Sequence, residues 1–177
     1  LKLPVKPMIG VIGVAPESGE ISCGSPDCHG GNMDNTMIAD GASIYFPVFH
    51  EGALFAMGDV HAVMGDGEIG VSGAEASARV TVKIEVVKGL KISNPVLENS
   101  EVLSTIAASE DLDKAVDRAV FDMYELLKGK TKVKDEELVM LFSLTGNTEI
   151  CQVVDPKKTA RFVMPKHVLK SIGYTCN

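Results

Sequence analysis

The stretch Ser109–Gly129, SEDLDKAVDRAVFDMYELLKG, lies in the second half of the chain and has a helical periodicity that the first half lacks. Its apolar residues recur every three or four positions, which predicts an amphipathic helix over residues 111–128. Ser109 and Asp111 lie at the start of this pattern, where short polar side chains accept hydrogen bonds from free backbone amides. Gly129 is typical of the residue that follows a helix. We therefore expect one long helix here.

Three shorter elements are predicted after this helix. Acidic side chains at the start of residues 135–144 suit the positive end of a helix dipole and predict a second helix. Residues 149–154 are typical of a strand, which Pro156 would end. Pro165 suits the first turn of a last short helix over residues 165–172. This part of the chain therefore mixes helices and strands.

Short apolar runs and glycine-rich turns precede the long helix. Residues 78–87 alternate between apolar and polar side chains, which predicts a half-buried strand. Residues 8–14 are typical of a buried strand, and residues 53–57 form another short apolar piece. Pro47 cannot donate to a ladder, so the strand predicted over residues 43–49 belongs at a sheet edge or a bulge.

These patterns predict an α+β fold for the 177 residues. We expect a β-rich, barrel-like or sandwich-like N-terminal half, followed by a smaller α/β part at the C-terminal end. The predicted boundary divides the chain into residues 1–90, which carry the candidate site, and residues 91–177.

Composition excludes several classes of protein. Seventeen Lys and Arg against 24 Asp and Glu give a formal net charge of -7, which argues against a nucleic-acid-binding surface. No apolar run approaches the length of a membrane span, so we expect no membrane insertion. Four cysteines are too few for a disulfide scaffold and predict thiols in a cytoplasmic protein. These are Cys23, Cys28, Cys151 and Cys176.

Residues suited to metal binding and acid–base chemistry concentrate in three glycine-rich segments: 28–34, 58–61 and 65–68. Asp59 and His61 are two positions apart, so on an extended backbone they point to one face. A carboxylate and an imidazole on one face form a plausible half of a zinc site or a similar site. Glu68 and Glu75 could add a ligand or a base that accepts a proton from metal-bound water.

Each of these residues also has an ordinary structural explanation. Asp66-Gly67 is a common hairpin turn, Asp34 and Asp59 could cap turns, and His29 could hydrogen-bond a carbonyl. Residues 65–70 match a dinucleotide-binding fingerprint, but two acids inside the turn would repel a phosphate, and we reject that interpretation. Taken together, the acids and histidines among glycines favour a site.

The segments that carry these residues resemble the acetamidase/formamidase family. The resemblance rests on residues 6–16 (KPMIGVIGVAP), 30–34 (GGNMD), 52–61 (GALFAMGDVH) and 65–68 (GDGE), and it continues to Glu75. It implies a hydrolase that cleaves the carbon–nitrogen bond of a small linear amide and releases ammonia and a carboxylate. It also implies a divalent metal (zinc, with calcium as the alternative) and a homodimer.

The resemblance further implies roles for individual residues. Asp59 and His61 are the first candidates for the metal site, with His29 and Glu75 next, and Glu68 and Asp34 are the candidate catalytic residues. Members of the family are longer at the N-terminal end, so we also expect that an N-terminal segment of the same protein is missing here.

Two alternatives remain open from the residues alone. Cys28 lies beside His29 and could act as the nucleophile of a thiol amidase. Alternatively, the chain could be a non-catalytic fragment or an assembly module whose exposed apolar edge pairs with another chain.

Overall fold

The fold was analysed in a computed structural model that describes residues 1–174, so Cys176 lies outside the described residues. Nine strands and three helices are described within them. The elements are β1 Met8–Gly13, β2 Gly30–Asn32, β3 Ser43–Tyr45, β4 Ala56–Val63, β5 Ala74–Glu75, β6 Val96–Glu98, β7 Val102–Ser109, α1 Leu112–Leu127, α2 Asp135–Thr145, β8 Asn147–Gln152, β9 Lys158–Pro165 and α3 Lys166–Ser171. This confirms the α+β class.

The strands form two antiparallel sheets. The first sheet has the order β2-β1-β4-β5, and the second has the order β3-β6-β7-β9-β8. The strand predicted over residues 43–49 is shorter than expected, because β3 ends at Tyr45, before Pro47, and it lies at the edge of the second sheet as predicted. Since β3 comes from the first half of the chain, the two halves share this sheet. A barrel or sandwich architecture, and the domain boundary near residue 90, stay predictions.

The central strands of the second sheet separate two apolar cores. Leu103 and Ala107 of β7 face the helices, where they join Met123 and Leu127 of α1. Ile106 of β7 points to the other side and joins a core that includes Ile12 of the first sheet. Alternation along a strand thus buries β7 on both faces. The resulting layers are helices, second sheet and first sheet.

The three predicted helices are confirmed. Oδ1 of Asp111 accepts a hydrogen bond from the amide of Asp113 at 2.9 Å, which caps α1 as its sequence predicts. The helix α2 begins with three acidic residues, and Pro165 precedes α3. None of the helices in residues 1–174 combines the length and the apolar character that crossing a bilayer requires.

The strand predicted over residues 78–87 is wrong. Residues 78–87 lie between β5 and β6, have no regular secondary structure and are largely exposed. The side chains of Ile84 and Val86 are 67% and 83% exposed. A strand requires a hydrogen-bonded neighbour as well as an alternating pattern, and no strand within residues 1–174 pairs with this segment.

Candidate active site

The predicted site residues converge on one side chain of the first sheet, His61. Asp59 and His61 lie on β4, and Glu75 of β5 is the cross-strand partner of His61. Asp34 follows β2, and Glu68 lies in the loop between β4 and β5. Five of the six predicted side chains are therefore brought together.

The buried side of this cluster contains Asp34, His61 and Glu68. One ligand atom from each lies within 4.8 Å of the others, and the three residues are 1%, 1% and 7% exposed. Nδ1 of His61 lies 4.0 Å from Oδ1 of Asp34. Within residues 1–174, neither atom has a hydrogen-bond partner. Two buried polar atoms thus face each other unsatisfied, which is costly unless another group lies between them.

The more exposed side contains Asp59 and Glu75. Nε2 of His61 lies 3.3 Å from Oδ1 of Asp59 and 3.0 Å from Oε1 of Glu75. The hydroxyl of Ser72 donates to the same oxygen of Glu75 at 3.0 Å. His61 therefore connects a buried acidic pair with two acids that solvent reaches.

Two glycines create the space for these side chains. A Cβ atom at Gly10 would lie 2.4 Å from Oδ2 of Asp59 and 2.5 Å from Oδ1 of Asp34. A Cβ atom at Gly73 would lie 2.6 Å from Nδ1 of His61. Such distances exclude any other residue without movement of the site, so the glycines that the sequence places nearby have a steric role here.

Three of the acidic residues have left-handed backbone conformations. Asp34, Asp59 and Glu68 have φ angles of 44°, 55° and 46°. This region is unfavourable for residues other than glycine, and such strain concentrates at functional sites, where the surrounding structure holds it.

Burial changes the acidity of the cluster. Desolvation, together with the charges of Glu68 and Asp59, raises the pKa of Asp34 to about 8. Desolvation also raises the pKa of Glu68, against a hydrogen bond with Asp34 and the nearby His61, which lower it. Two carboxyl groups in contact and out of water do not both ionise readily. At neutral pH the pair therefore retains a proton unless a cation replaces it.

A further acid at this site, Asp155, was not predicted from the sequence. Its carboxylate accepts a hydrogen bond from Nδ2 of Asn32 at 3.0 Å. Burial, with the charges of Glu68 and Asp59, raises the pKa of Asp155 to about 6. In the sequence, Asp155 is recognisable only as the residue between a predicted strand and Pro156. No local pattern connects it with the other acids of the site, which lie 80 or more positions earlier in the chain.

His29 and Cys28 are not part of the converging groups. His29 belongs to neither cluster of candidate ligands in the described residues. It is buried, its Nδ1 has no hydrogen-bond partner within residues 1–174, and desolvation lowers its pKa. Desolvation and the charge of Asp27 raise the pKa of the Cys28 thiol, which disfavours the nucleophilic thiolate.

The donors present fit a divalent cation. Imidazole nitrogen and carboxylate oxygen are ligands that zinc accepts, and oxygen-rich sets also suit calcium. The unsatisfied atoms of Asp34 and His61 face each other, and Asp59 and Glu75 approach the other ring nitrogen. The negative charge concentrated around one histidine is what a cation would offset.

Residues 20–171 match the family model described as the Acetamidase/Formamidase family. The chain belongs to the acetamidase/formamidase family. This confirms the resemblance carried by the glycine-rich segments, and it extends the match through the helical part of the chain.

Individual members of the family support this relationship. A formamidase from Methylophilus methylotrophus is 39% identical over 85 residues, which are 45% of this chain and 21% of that protein. An acetamidase from Mycolicibacterium smegmatis is 40% identical over 65 residues, which are 36% of this chain and 16% of that protein.

Solved structures of two family members match almost the whole chain. A predicted acetamidase/formamidase from Thermoanaerobacter tengcongensis is 60% identical with a TM-score of 0.96, and the match covers 99% of this chain and 58% of that one. An acetamidase from Bacillus halodurans is 43% identical with a TM-score of 0.95, and the match covers 98% of this chain and 59% of that one. The chain therefore spans less than two thirds of the length of these relatives.

Proposed function

We propose that this protein is an amidase that hydrolyses the carbon–nitrogen bond of small linear amides, such as formamide or acetamide, to ammonia and a carboxylate. The observation that carries the proposal is the buried contact of Asp34, His61 and Glu68, with two unsatisfied polar atoms between its members. Membership of the acetamidase/formamidase family supplies the reaction class.

A divalent cation, zinc or alternatively calcium, would be held by one ring nitrogen of His61. Asp59 and Glu75 are the candidate ligands on the Nε2 side of the ring, and Asp34 is the candidate ligand on the Nδ1 side. When bound, such a cation lowers the pKa of water and polarises an amide carbonyl. His29 was also predicted as a ligand, but its position outside the cluster gives this role no support.

Glu68 is the proposed general base. Its carboxylate would accept the proton of the attacking water and return it to the departing nitrogen. Burial raises the pKa of Glu68, which brings this group closer to the neutral range in which a base and acid works best. Asp34 is hydrogen-bonded to Glu68 and would orient it while sharing the proton of the pair.

A cavity beside Glu68 is the proposed substrate site. Its volume is about 410 Å³. Val63, Met64 and Ile69 supply apolar wall, and Asp66 and Ser72 supply polar groups. The combination of an apolar wall and a buried carboxyl group suits a small neutral molecule that has one polar end.

The direct test measures metal content and ammonia release from formamide, before and after treatment with a chelator. Near-stoichiometric metal and chelator-sensitive turnover would support the proposal. Asp59→Ala and His61→Ala should each lower turnover at least a hundredfold, whereas His50→Ala, which alters an exposed histidine, should not. Full activity in both site variants would contradict the metal assignment.

We also propose that the chain forms a homodimer, in which the exposed segment 78–87 of each copy pairs with the same segment of the other. A polypeptide edge with exposed apolar side chains is a site for strand addition. Antiparallel pairing of two copies about Ile84 would place Val82 of one copy opposite Val86 of the other. Lys83 would then face Glu85, two side chains that already form a 2.8 Å ion pair within one copy. This self-complementarity makes a second copy the partner we propose.

A further inference from the structure

We propose that Arg161 is a positioning residue that holds together the two loops carrying Asp34 and Glu68. This inference rests on the proposed amidase function, in which those two side chains take part. Arg161 lies on β9 in the second sheet, whereas Asp34 and His61 belong to the first sheet and its connections.

The guanidinium of Arg161 binds both loops directly. Nη1 donates to Oδ1 of Asn35 at 2.7 Å and to Oγ1 of Thr36 at 3.3 Å. Nη1 and Nη2 also donate to the two carboxylate oxygens of Asp66, at 3.2 and 2.5 Å. Asn35 directly follows Asp34, and Asp66 lies two residues before Glu68. One side chain therefore links the residue next to Asp34 with a residue two positions from Glu68.

The two loops are also connected to each other and to the second sheet. The hydroxyl of Thr36 donates to Oδ1 of Asp66 at 2.7 Å. The amide of Gly67 donates to the carbonyl of Cys151 at 2.8 Å, and the amide of Val153 donates to the carbonyl of Gly67 at 3.2 Å. The loop that carries Glu68 is thus fixed to β8 and β9 of the second sheet. The side chain of Glu68 itself lies against Asp34 and His61, which belong to the first sheet and its connections.

The charge of Arg161 is balanced inside this arrangement. Arg161 is 3% exposed, and Glu149 of β8 accepts a hydrogen bond from its Nε at 2.7 Å. Asp66 provides the second negative charge. A buried cation with two carboxylates is expensive to assemble from water, and removal of one partner leaves an unpaired charge. The network is therefore specific for a guanidinium in this place.

The backbone conformations of Asp34 and Glu68 require support from surrounding contacts. Asp34 and Glu68 have φ angles of 44° and 46°, conformations that persist only when the surrounding contacts fix them. The planar fork of arginine can bind Asp66 through two hydrogen bonds while its remaining N–H groups reach Asn35 and Glu149. A lysine ammonium is a point charge and cannot reproduce this geometry.

The test compares Arg161→Met, Arg161→Lys and Asp66→Asn with the control Leu138→Ala, which opens a cavity in the core between the helices and the second sheet. The measurements are kcat and KM for formamide, the urea unfolding midpoint, and hydrogen exchange of the amides at residues 34–36 and 65–68. We expect Arg161→Met to lower kcat at least tenfold with KM within threefold, and to raise loop exchange more than tenfold relative to exchange in α1.

Arg161→Lys and Asp66→Asn should give intermediate losses, and Leu138→Ala should lower the unfolding midpoint without changing kcat of the folded protein. Unchanged loop exchange in Arg161→Met would overturn the inference, and so would a kcat within twofold of the original in an active preparation. If the unaltered protein releases no ammonia, the amidase proposal fails, and the exchange measurement still decides whether Arg161 holds the loops.

Discussion

Nδ1 of His61 lies 4.0 Å from Oδ1 of Asp34, and neither buried atom has a hydrogen-bond partner within residues 1–174. An unsatisfied buried polar atom costs about 1–3 kcal/mol. Two of them facing each other indicate a place for a third group that interacts with both. A cation coordinated by Nδ1 of His61 and Oδ1 of Asp34 would satisfy this requirement.

Metal binding should therefore stabilise the folded chain. Zinc at 100 times its dissociation constant would raise the free energy of unfolding by about 2.7 kcal/mol, because it binds only the folded state. Asp34→Asn and His61→Asn should lose most of this gain, and His167→Asn, outside the site, should retain it. Thermal unfolding with zinc and with a chelator measures the difference. Equal stabilisation of all variants would contradict the assignment.

Gly10→Ala should disrupt the site. The added Cβ would lie 2.4 Å from a carboxylate oxygen of Asp59 and 2.5 Å from one of Asp34, so both side chains must move. We expect a loss of about 1–3 kcal/mol in stability, as for other overpacked sites, and a loss of turnover of at least tenfold.

Gly58→Ala is the matched control. Gly58 lies on β4, which pairs with β1, and a Cβ atom there would meet nothing within 4 Å. Its turnover should stay within twofold of the unaltered protein. Urea unfolding and the formamide assay check both variants, and equal effects of the two substitutions would show that the contact with the carboxylates is not the cause.

Asp155 should make stability depend on pH in the chelated protein. Its pKa is raised from the ordinary 3.8 to about 6 in the folded state, so the folded chain binds more protons than the unfolded chain between these values. The contribution of this group is fully present below about pH 4 and is lost as the pH rises to about 6. Asp155→Asn should reduce this slope, because an amide does not titrate in this range, and its oxygen can still accept the hydrogen bond from Asn32.

The urea midpoint measured from pH 4 to pH 7 gives the slope. Asp40→Asn is the control, because Asp40 is exposed and away from the cluster. If the slope is identical in Asp155→Asn and the unaltered chain, Asp155 does not titrate as its surroundings indicate.

Cys28→Ser should retain amidase activity. Burial and the charge of Asp27 raise the pKa of the Cys28 thiol, and a thiol that keeps its proton is a weak nucleophile. Iodoacetamide treatment should leave turnover within twofold, with Cys23→Ser as the control for the exposed thiol. Loss of activity only in Cys28→Ser would instead support a thiol amidase.

Ile84→Lys should reduce dimer formation. Ile84 is 67% exposed and is the centre of the proposed pairing of two copies, where two lysines would face each other. Met140→Lys is the control, because Met140 is 62% exposed on α2, away from this segment. Sedimentation at several protein concentrations measures the dissociation constant, which should rise at least tenfold only for Ile84→Lys. A monomer at all concentrations in the unaltered protein would exclude the dimer.

The sequence predicted that the candidate acids lie near His61 better than it predicted the framework around them. Asp59 and His61 lie two positions apart on β4 and their side chains approach each other as expected, although Asp59 has a φ of 55° instead of the extended backbone that the prediction assumed. The helices were also recognisable, because α1 has an apolar stripe and a polar cap. These features depend on residues close together in the chain.

Features that depend on distant residues were not predicted. The strands β7 and β9 are buried on both faces, so they lack the alternation that identifies a half-exposed strand. Residues 78–87 have that alternation and no neighbouring strand. Arg161 and Asp155 reach the site only through the pairing of the second sheet, although an arginine inside the apolar run of β9 is a signal that could have been noticed.

The hydrogen bonds between Gly67 and the chain at Cys151 and Val153 have a consequence for inactivation by heat. Asp155 comes from the second sheet, and Asp34, Asp59 and His61 come from the first. Glu68 lies in a connection of the first sheet that is hydrogen-bonded through Gly67 to the second. The positions that we propose for Glu68 and Asp155 therefore depend on contact between the two layers. A partial opening along that seam would abolish catalysis while the helices stay packed on their own sheet, so the temperature at which activity disappears can lie below the temperature at which the helices melt.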